Sequence, residues 1–492
     1  MYAPRLFRIL CLALCIVGLY LAFSQLTPLG LTWDEYLDWR IAESIARTHS
    51  VFRDLSDPSQ GRFAHLLAAL SFSLFGFSYL AYKLPFVFIG CAGGVLLFAA
   101  CRRRFSLSVA LAVSAYYLTN PYVLGSMRTA ATAGDVLVLV LSLAFVLSLE
   151  RWLSSRALWS AGIVCAVVCG AATGAKWTNG LCVPLALVAF LLTRRESWAA
   201  LAKQLACFVS LAALTAIVTN PTFLLGPTFV LSALAHAHNY DHGTRLYLGE
   251  LVTTPQWYFV PAIFLAKYGI PFLVFLLGSV ALAVRLRTQH ALVWLSLVTL
   301  SFAALFALKP FQSAYYYIFT VAPCLMLVAW LLNQKHPWKH GLAMWIFLAA
   351  VLLQTAQALA LAPDFLRAGA GYGTAFEGEF WGPAVNHCQG GPQLLGVVAA
   401  REPGARLYTL TDCFEILAFD LARGPVRPAL RVLDYPASNP ARPYVLAVHR
   451  VFFVGGDSQA SRAQRLARFA AATSGCEEIA EQGQPYRIYD CR

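Results

Sequence analysis

The chain has 492 residues, 59% of them hydrophobic and only 12% charged, with a formal net charge of +13. A soluble globular domain has about half its residues apolar and about a quarter charged, so this composition excludes a soluble enzyme and describes a chain that lives largely in lipid. The excess of Lys and Arg then reads first as membrane topology rather than as a nucleic-acid footprint, because basic residues collect on cytoplasmic loops.

In chain order, the N-terminus MYAPRLFRILCLALCIVGLYLAF places Arg5 and Arg8 before an apolar run. A signal peptide shares that pattern. Ala22 and Ser24 make a weak cleavage site, however, and 6–26 is read as a retained first span. Further spans are predicted near 84–101, 106–124, 134–149, 158–175, 180–193, 205–222, 269–284, 291–308, 313–332 and 342–362, about eleven in all. Between them fall Arg102, Arg103 and Arg104, then Arg151 and Arg156, Arg194 and Arg195, Arg285 and Arg287, and Lys335 and Lys339. With the N-terminus cytoplasmic, every cluster lands inside. The apolar stretch 63–82 would reverse all later loops if it spanned. The segment 36–82 is therefore read as external, with amphipathic helices lying on the membrane.

Three external regions are long: 27–83, 223–268 and 363–492. The first two interrupt a membrane unit of residues 1–362. The third changes composition: RLYTL (406–410) and YVLAVHRVFFV (444–454) alternate like strands, Gly and Pro turns separate them, and 459–473 is helical in pattern. It reads as a small external α/β domain. Of thirteen cysteines, Cys388, Cys413, Cys476 and Cys491 lie there, in a compartment that permits disulfides. Cys476 and Cys491 bracket a terminal hairpin and form the expected pair. The rest sit mainly in spans as small hydrophobes. No CxxC or HExxH spacing points to a metal, and no cofactor is required.

The stretch GLTWDEYLDWR (30–40) concentrates Asp34, Glu35 and Asp38 between aromatic residues just after the first span. Adjacent acids do not aim easily at one point, so one is expected to do chemistry and the other to orient it or bind substrate. A carboxylate partly withdrawn from water becomes a better base. On this topology Lys83, Arg128, Lys176, Lys267 and Lys309 lie near the external face, where the positive-inside rule leaves few cations. Together they suggest an anion site, with a lipid phosphate the natural ligand. Asp135 begins an apolar run on that side, and an ionisable residue at a span entrance is a functional candidate. The loop HAHNYDH offers His236, His238, Asp241 and His242 as substrate contacts; the mix of ligand types could also hold zinc, but the flexible spacing of one loop argues against it.

These motifs resemble the GT-C glycosyltransferases, and more narrowly the bacterial protein O-mannosyltransferase and aminoarabinose-transferase group. WDE after the first span is similar to the group's acidic motif. FGFSYLAYKLPFVFIG, MRTAATAGDVLVLVLSLAF, GAATGAKWTNGL and PQWYFVPAIFLAKYGIPFLVFLLG resemble four further segments. GRFAHLLAAL (61–70) departs from a His-Pro-Pro-like stretch and leaves only His65 to match it. The resemblance implies a polyprenyl-phosphate monosaccharide as donor and an external protein, lipid or glycan as acceptor. It implies Asp34 as general base, inversion at the anomeric carbon, and a place in the inner (plasma) membrane. A transporter or lipid flippase, or a glycan-assembly subunit without catalysis, would also carry charged residues near its spans. Transporters usually show repeats and interrupted helices at the midplane, and neither is evident here.

Overall fold

A backbone in lipid must satisfy its hydrogen bonds within itself, so apolar runs of span length become helices. The structure, a computed structural model, describes residues 3–24, 26, 33–52, 61–129, 135–154, 158–176, 180, 182–193, 198–226, 228–229, 231–232, 245–247, 250–252, 259–286, 294, 321–334, 339–362, 391–401, 406–410, 414–423, 430–434, 436, 440, 442–449, 459–479 and 486–491. The membrane unit carries α1 (Ala3–Phe23), α2 (Trp33–Thr48), α3 (Phe63–Phe75), α4 (Tyr79–Arg104), α5 (Leu107–Thr119), α6 (Pro121–Thr129), α7 (Asp135–Ser154), α8 (Leu158–Ala175), α9 (Cys182–Thr193), α10 (Trp198–Thr219), α11 (Phe259–Leu286), α12 (Val321–Leu332) and α13 (Lys339–Leu361). Between α10 and α11 runs a short ribbon of β1 (Arg245–Tyr247) and β2 (Glu250–Val252).

Among the described residues, five helices are long and apolar enough to cross a bilayer, those of α1, α4, α7, α10 and α13, and the bent pair α5 and α6 makes a sixth. By that measure the expected eleven are not reached among the described residues. Four more of the expected spans coincide with apolar helical stretches at Trp159–Ala175, Cys182–Leu191, Pro271–Leu286 and Pro323–Leu332, within α8, α9, α11 and α12. The stretch 291–308 lies outside the described residues but for Trp294. Two other boundaries move. The acidic motif is not a loop but the first turn of α2. Helix α4 begins at Tyr79 rather than near 84, because the Ser78 hydroxyl caps it by accepting from the Ala81 amide at 3.1 Å.

The helix ends sort onto two faces. Arg8 near the start of α1 donates to Ser108 on α5 (3.2 Å). Arg104 ends α4 and pairs with Glu150 near the end of α7 at 2.8 Å, and the Ser106 amide donates to Asn333 just past α12 (3.1 Å). One end of the bundle therefore holds Arg8 and the cluster Arg102, Arg103 and Arg104 that closes α4. In the interior, Pro121 cannot donate and biases Asn120 away from helical geometry, so α5 and α6 meet at a 60° bend. The freed backbone is satisfied locally: Asn120 Oδ1 accepts from the Tyr122 and Val123 amides. Gln354 of α13 donates to the Tyr116 carbonyl (2.8 Å) and accepts from Asn120 (3.1 Å).

The C-terminal part is a layered α/β unit. It contains α14 (Gly391–Arg401), β3 (Arg406–Thr409), α15 (Phe414–Arg423), β4 (Arg431–Asp434), β5 (Tyr444–His449), α16 (Gln459–Thr473), β6 (Glu477–Ile479) and β7 (Tyr486–Cys491). Strand order is β4-β3-β5-β7-β6; β3 runs parallel to β4 and β5, and β7 antiparallel to β5 and β6. Side chains alternate across a strand. Leu407, Val445, Ala447 and Ile488 thus join Leu394, Leu395 and Leu417 in the core that continues into the membrane unit. Tyr408, Tyr444, Leu446, Val448 and Tyr489 form a second core with Ala472 of α16. Glu477 pairs with Asp490 in register, which sets the flanking Cys476 and Cys491 side by side, and they are joined as a disulfide.

Candidate functional site

The site lies where α2, α3 and the start of α4 meet, at the opposite end of α4 from Arg102, Arg103 and Arg104. Acidic residues favour the first turn of a helix and basic ones the last, and α2 has Asp34 and Glu35 at one end and Arg47 at the other. That arrangement is legible in the sequence once 33–48 is read as a helix. Its inner face buries Glu35, Tyr36, Asp38, Trp39 and Ala42.

Glu35 and Lys83 are both buried and lie 3.5 Å apart, Oε1 to Nζ. Lys83 is thus a buried cation beside one of the two candidate acids. A second buried pair stands one turn further along α2: His65 Nε2 lies 2.8 Å from Asp38 Oδ1, and His65 Nδ1 lies 3.2 Å from the Gly61 carbonyl. Both ring nitrogens face acceptors, so His65 ties α2 to the backbone before α3. Gly61 is required there. A Cβ at this position would overlap the Gly174 carbonyl and the Ala175 backbone at the end of α8. The next residue is Lys176, half-buried, which brings a second predicted cation to this end of the bundle. Arg62, fully buried, stands immediately before α3.

The third component comes from the C-terminal unit. Phe419 of α15 sits among Tyr36, Trp39 and Tyr79, with ring centroids at 5.3, 5.4 and 6.4 Å. The neighbouring Asp420 is fully buried and accepts a hydrogen bond from the Tyr79 hydroxyl. Burial pushes its carboxyl up to about 8; the Glu35 charge pushes the same way, while Tyr79 and Lys83 oppose it. Glu35, Lys83, Tyr79 and Asp420 form one electrostatic cluster. Trp39 anchors it through Phe72 (4.6 Å) and Tyr82 (5.3 Å) and donates its indole N–H to Glu43 (3.0 Å).

Of the residues singled out from the sequence, Glu35, Lys83 and His65 come together. Asp34 is the second residue of α2, Arg128 lies near the end of α6, Asp135 opens α7 and Lys267 lies within α11. Lys309, His236, His238, Asp241, His242, Cys388 and Cys413 lie outside the described residues. Asp38 follows from helical spacing on α2. Tyr79 and Asp420 are separated by 341 positions, and no local pattern links them. Among the described residues no group of three His, Cys, Asp or Glu side chains could hold a metal ion. The arrangement offers buried carboxylates around a buried ammonium, which suits proton acceptance beside an anionic ligand.

Residues 60–223 match the dolichyl-phosphate-mannose-protein mannosyltransferase family. The structure is similar to that of ArnT from Cupriavidus metallidurans in the apo state, with a TM-score of 0.56 and 16% identity over 98% of this chain and 97% of that one. Against the same protein bound to undecaprenyl phosphate the TM-score is 0.55 at 16% identity, covering 98% of each chain. At this identity the likeness is one of fold. No curated protein matches the chain by sequence.

Proposed function

We infer that this chain, a multi-pass membrane protein with the GT-C glycosyltransferase fold, moves a monosaccharide from a polyprenyl-phosphate carrier to an acceptor hydroxyl. The observation that carries the reading is the fold match along nearly the whole of both chains to a protein solved with undecaprenyl phosphate. The family match over 60–223 covers α3 and α4, the elements that hold His65 and Lys83, and adds to it. A glycosyltransferase fold favours transfer over the transporter or flippase alternative.

In this mechanism Asp34 takes the proton from the acceptor hydroxyl as its oxygen forms a bond to the anomeric carbon. The bond from that carbon to the phosphate oxygen breaks on the opposite face, the configuration inverts, and polyprenyl phosphate departs with the bonding electrons. The 3.5 Å approach of Glu35 to Lys83 supports a division of roles in which Asp34 is the base and Glu35 holds the ammonium. The leaving phosphate gains negative charge as the bond breaks, and preorganised cations stabilise that charge. Lys83, Lys176, Arg128, Lys267 and Lys309 are the candidates, and Asp135 is a second acid for orienting the sugar. The site face is external and the N-terminus cytoplasmic by the positive-inside rule, with the C-terminal unit outside.

The test is carrier binding by the full chain in nanodiscs, measured by native mass spectrometry with undecaprenyl phosphate as probe. Retention of undecaprenyl phosphate over phosphatidylglycerol is expected. Equal retention of the two lipids would remove the carrier from the reading.

A further inference from the structure

Asp420 is out of place for a residue that serves only its own domain. It lies on α15, whose Leu417 packs into the apolar core, and it is fully buried. A carboxyl in such a place costs stability unless a partner compensates. The compensation comes from the membrane unit, through the hydroxyl of Tyr79, the first residue of α4. One turn further along α4 stands Lys83, with Glu35 across from it. Phe419, beside Asp420, closes the same contact by packing on Tyr36 and Trp39 of α2.

We propose that Asp420 is a positioning residue for the membrane site: through Tyr79 it fixes the start of α4 against α2, and so sets the Lys83–Glu35 pair, which is complete only with the C-terminal helix docked. Its role in donor binding rests on the glycosyltransferase reading; its role in ordering α2 and α4 does not. Two features fit a neutral carboxyl there. Burial raises its pKa to about 8, and its Oδ2 is buried without a hydrogen-bond partner among the described residues. An ionised Asp420 would compete with Glu35 for the Lys83 ammonium. A neutral one accepts from Tyr79 and leaves that pair alone.

The experiment uses the full chain in nanodiscs and reads two quantities, hydrogen exchange of 33–48 and 79–86 and affinity for undecaprenyl phosphate. Asp420→Ala and Tyr79→Phe each remove the bond, and each should speed exchange in those two segments on the order of tenfold. The double variant should be no faster than either single, because both remove one interaction. Asp420→Asn keeps an acceptor of the same size and should stay within about twofold of the parent. Undecaprenyl phosphate should bind more weakly to Asp420→Ala and normally to Asp420→Asn. Unchanged exchange in Asp420→Ala, or additive effects of the two singles, would overturn the proposal. So would a rise extending equally through α16, which would mark unfolding of the domain. If exchange responds as expected and the parent protein does not bind undecaprenyl phosphate, the positioning role stands and the carrier falls.

Discussion

Replacing Lys83 with Met tests whether its ammonium is needed for fold, for chemistry, or for both. At 3.5 Å, two unit charges attract by about 5 kcal/mol at an effective dielectric constant of 20. Most of that is offset by the cost of bringing both out of water. The asymmetry is more informative: removing one partner of a buried pair leaves the other charge uncompensated and typically costs ~3–5 kcal/mol, whereas replacing both with apolar groups is often neutral or stabilising. Lys83→Met should therefore lower unfolding stability by about 3–5 kcal/mol, since Glu35 has no exposed surface through which water could compensate it. The double variant Lys83→Met with Glu35→Leu should return to within about 1–2 kcal/mol of the parent. Sugar transfer should be absent from both. Stability is read by denaturant or thermal unfolding in nanodiscs and transfer on the same samples. A double variant no more stable than Lys83→Met would show that the pair is not the source of the loss. Normal transfer by the double variant would show that neither charge takes part in the reaction.

Four further outcomes follow from particular positions. Gly61→Ala drives a methyl into the Gly174 carbonyl, which is backbone and cannot swing aside, so it should cost ~1–3 kcal/mol and weaken transfer by displacing the His65–Asp38 contact. Gly341→Ala, where a Cβ meets nothing within 4 Å, should be neutral in the same thermal assay. Asp420 has a carboxyl raised from 3.8 to about 8, so between those values the folded protein holds a proton that the unfolded chain has released. Stability is then greatest at the acid end of that window and falls as pH rises through it, and thermal scans from pH 5 to 8.5 should show a flatter profile for Asp420→Asn. Cys476 and Cys491 close a loop with a separation of 15, so Cys476→Ala should destabilise the C-terminal unit by about 3 kcal/mol, read as faster proteolysis of that unit with the membrane helices intact.

Much of this architecture is legible in the sequence because hydropathy and alternation are local signals. The helices at 5–23, 136–153 and 341–360 coincide with apolar runs, and RLYT, YVLAVH and QASRAQRLARFAAAT form the strands and helix their patterns indicate. The site is less legible because its contacts are long-range. Lys83 reads as a lone cation at a span mouth, and only the approach of α2 to α4 turns it into half of a buried pair. His65 reads as the remnant of a motif, and its meaning comes from Asp38, 27 positions away. The acid of α15 reads as a polar position on an amphipathic helix, and nothing in FEILAFDLAR indicates that this position faces Tyr79.

The most direct test of transfer from a lipid carrier is the pool of lipid-linked sugars in cells that lack this protein, measured by mass spectrometry. Three strains suffice: one without the protein, one restored with the parent chain, and one restored with Asp34→Asn at equal abundance. A positioned base contributes typically ~10²–10⁴-fold to removing a proton from an alcohol, and Asn has the size of Asp without its capacity to take the proton. One polyprenyl-phosphate monosaccharide should accumulate in the strain without the protein and in the Asp34→Asn strain, and fall to baseline with the parent chain. An identical lipid-linked sugar pool in all three strains would contradict transfer from such a carrier. A pool restored to baseline by Asp34→Asn would contradict Asp34 as the base.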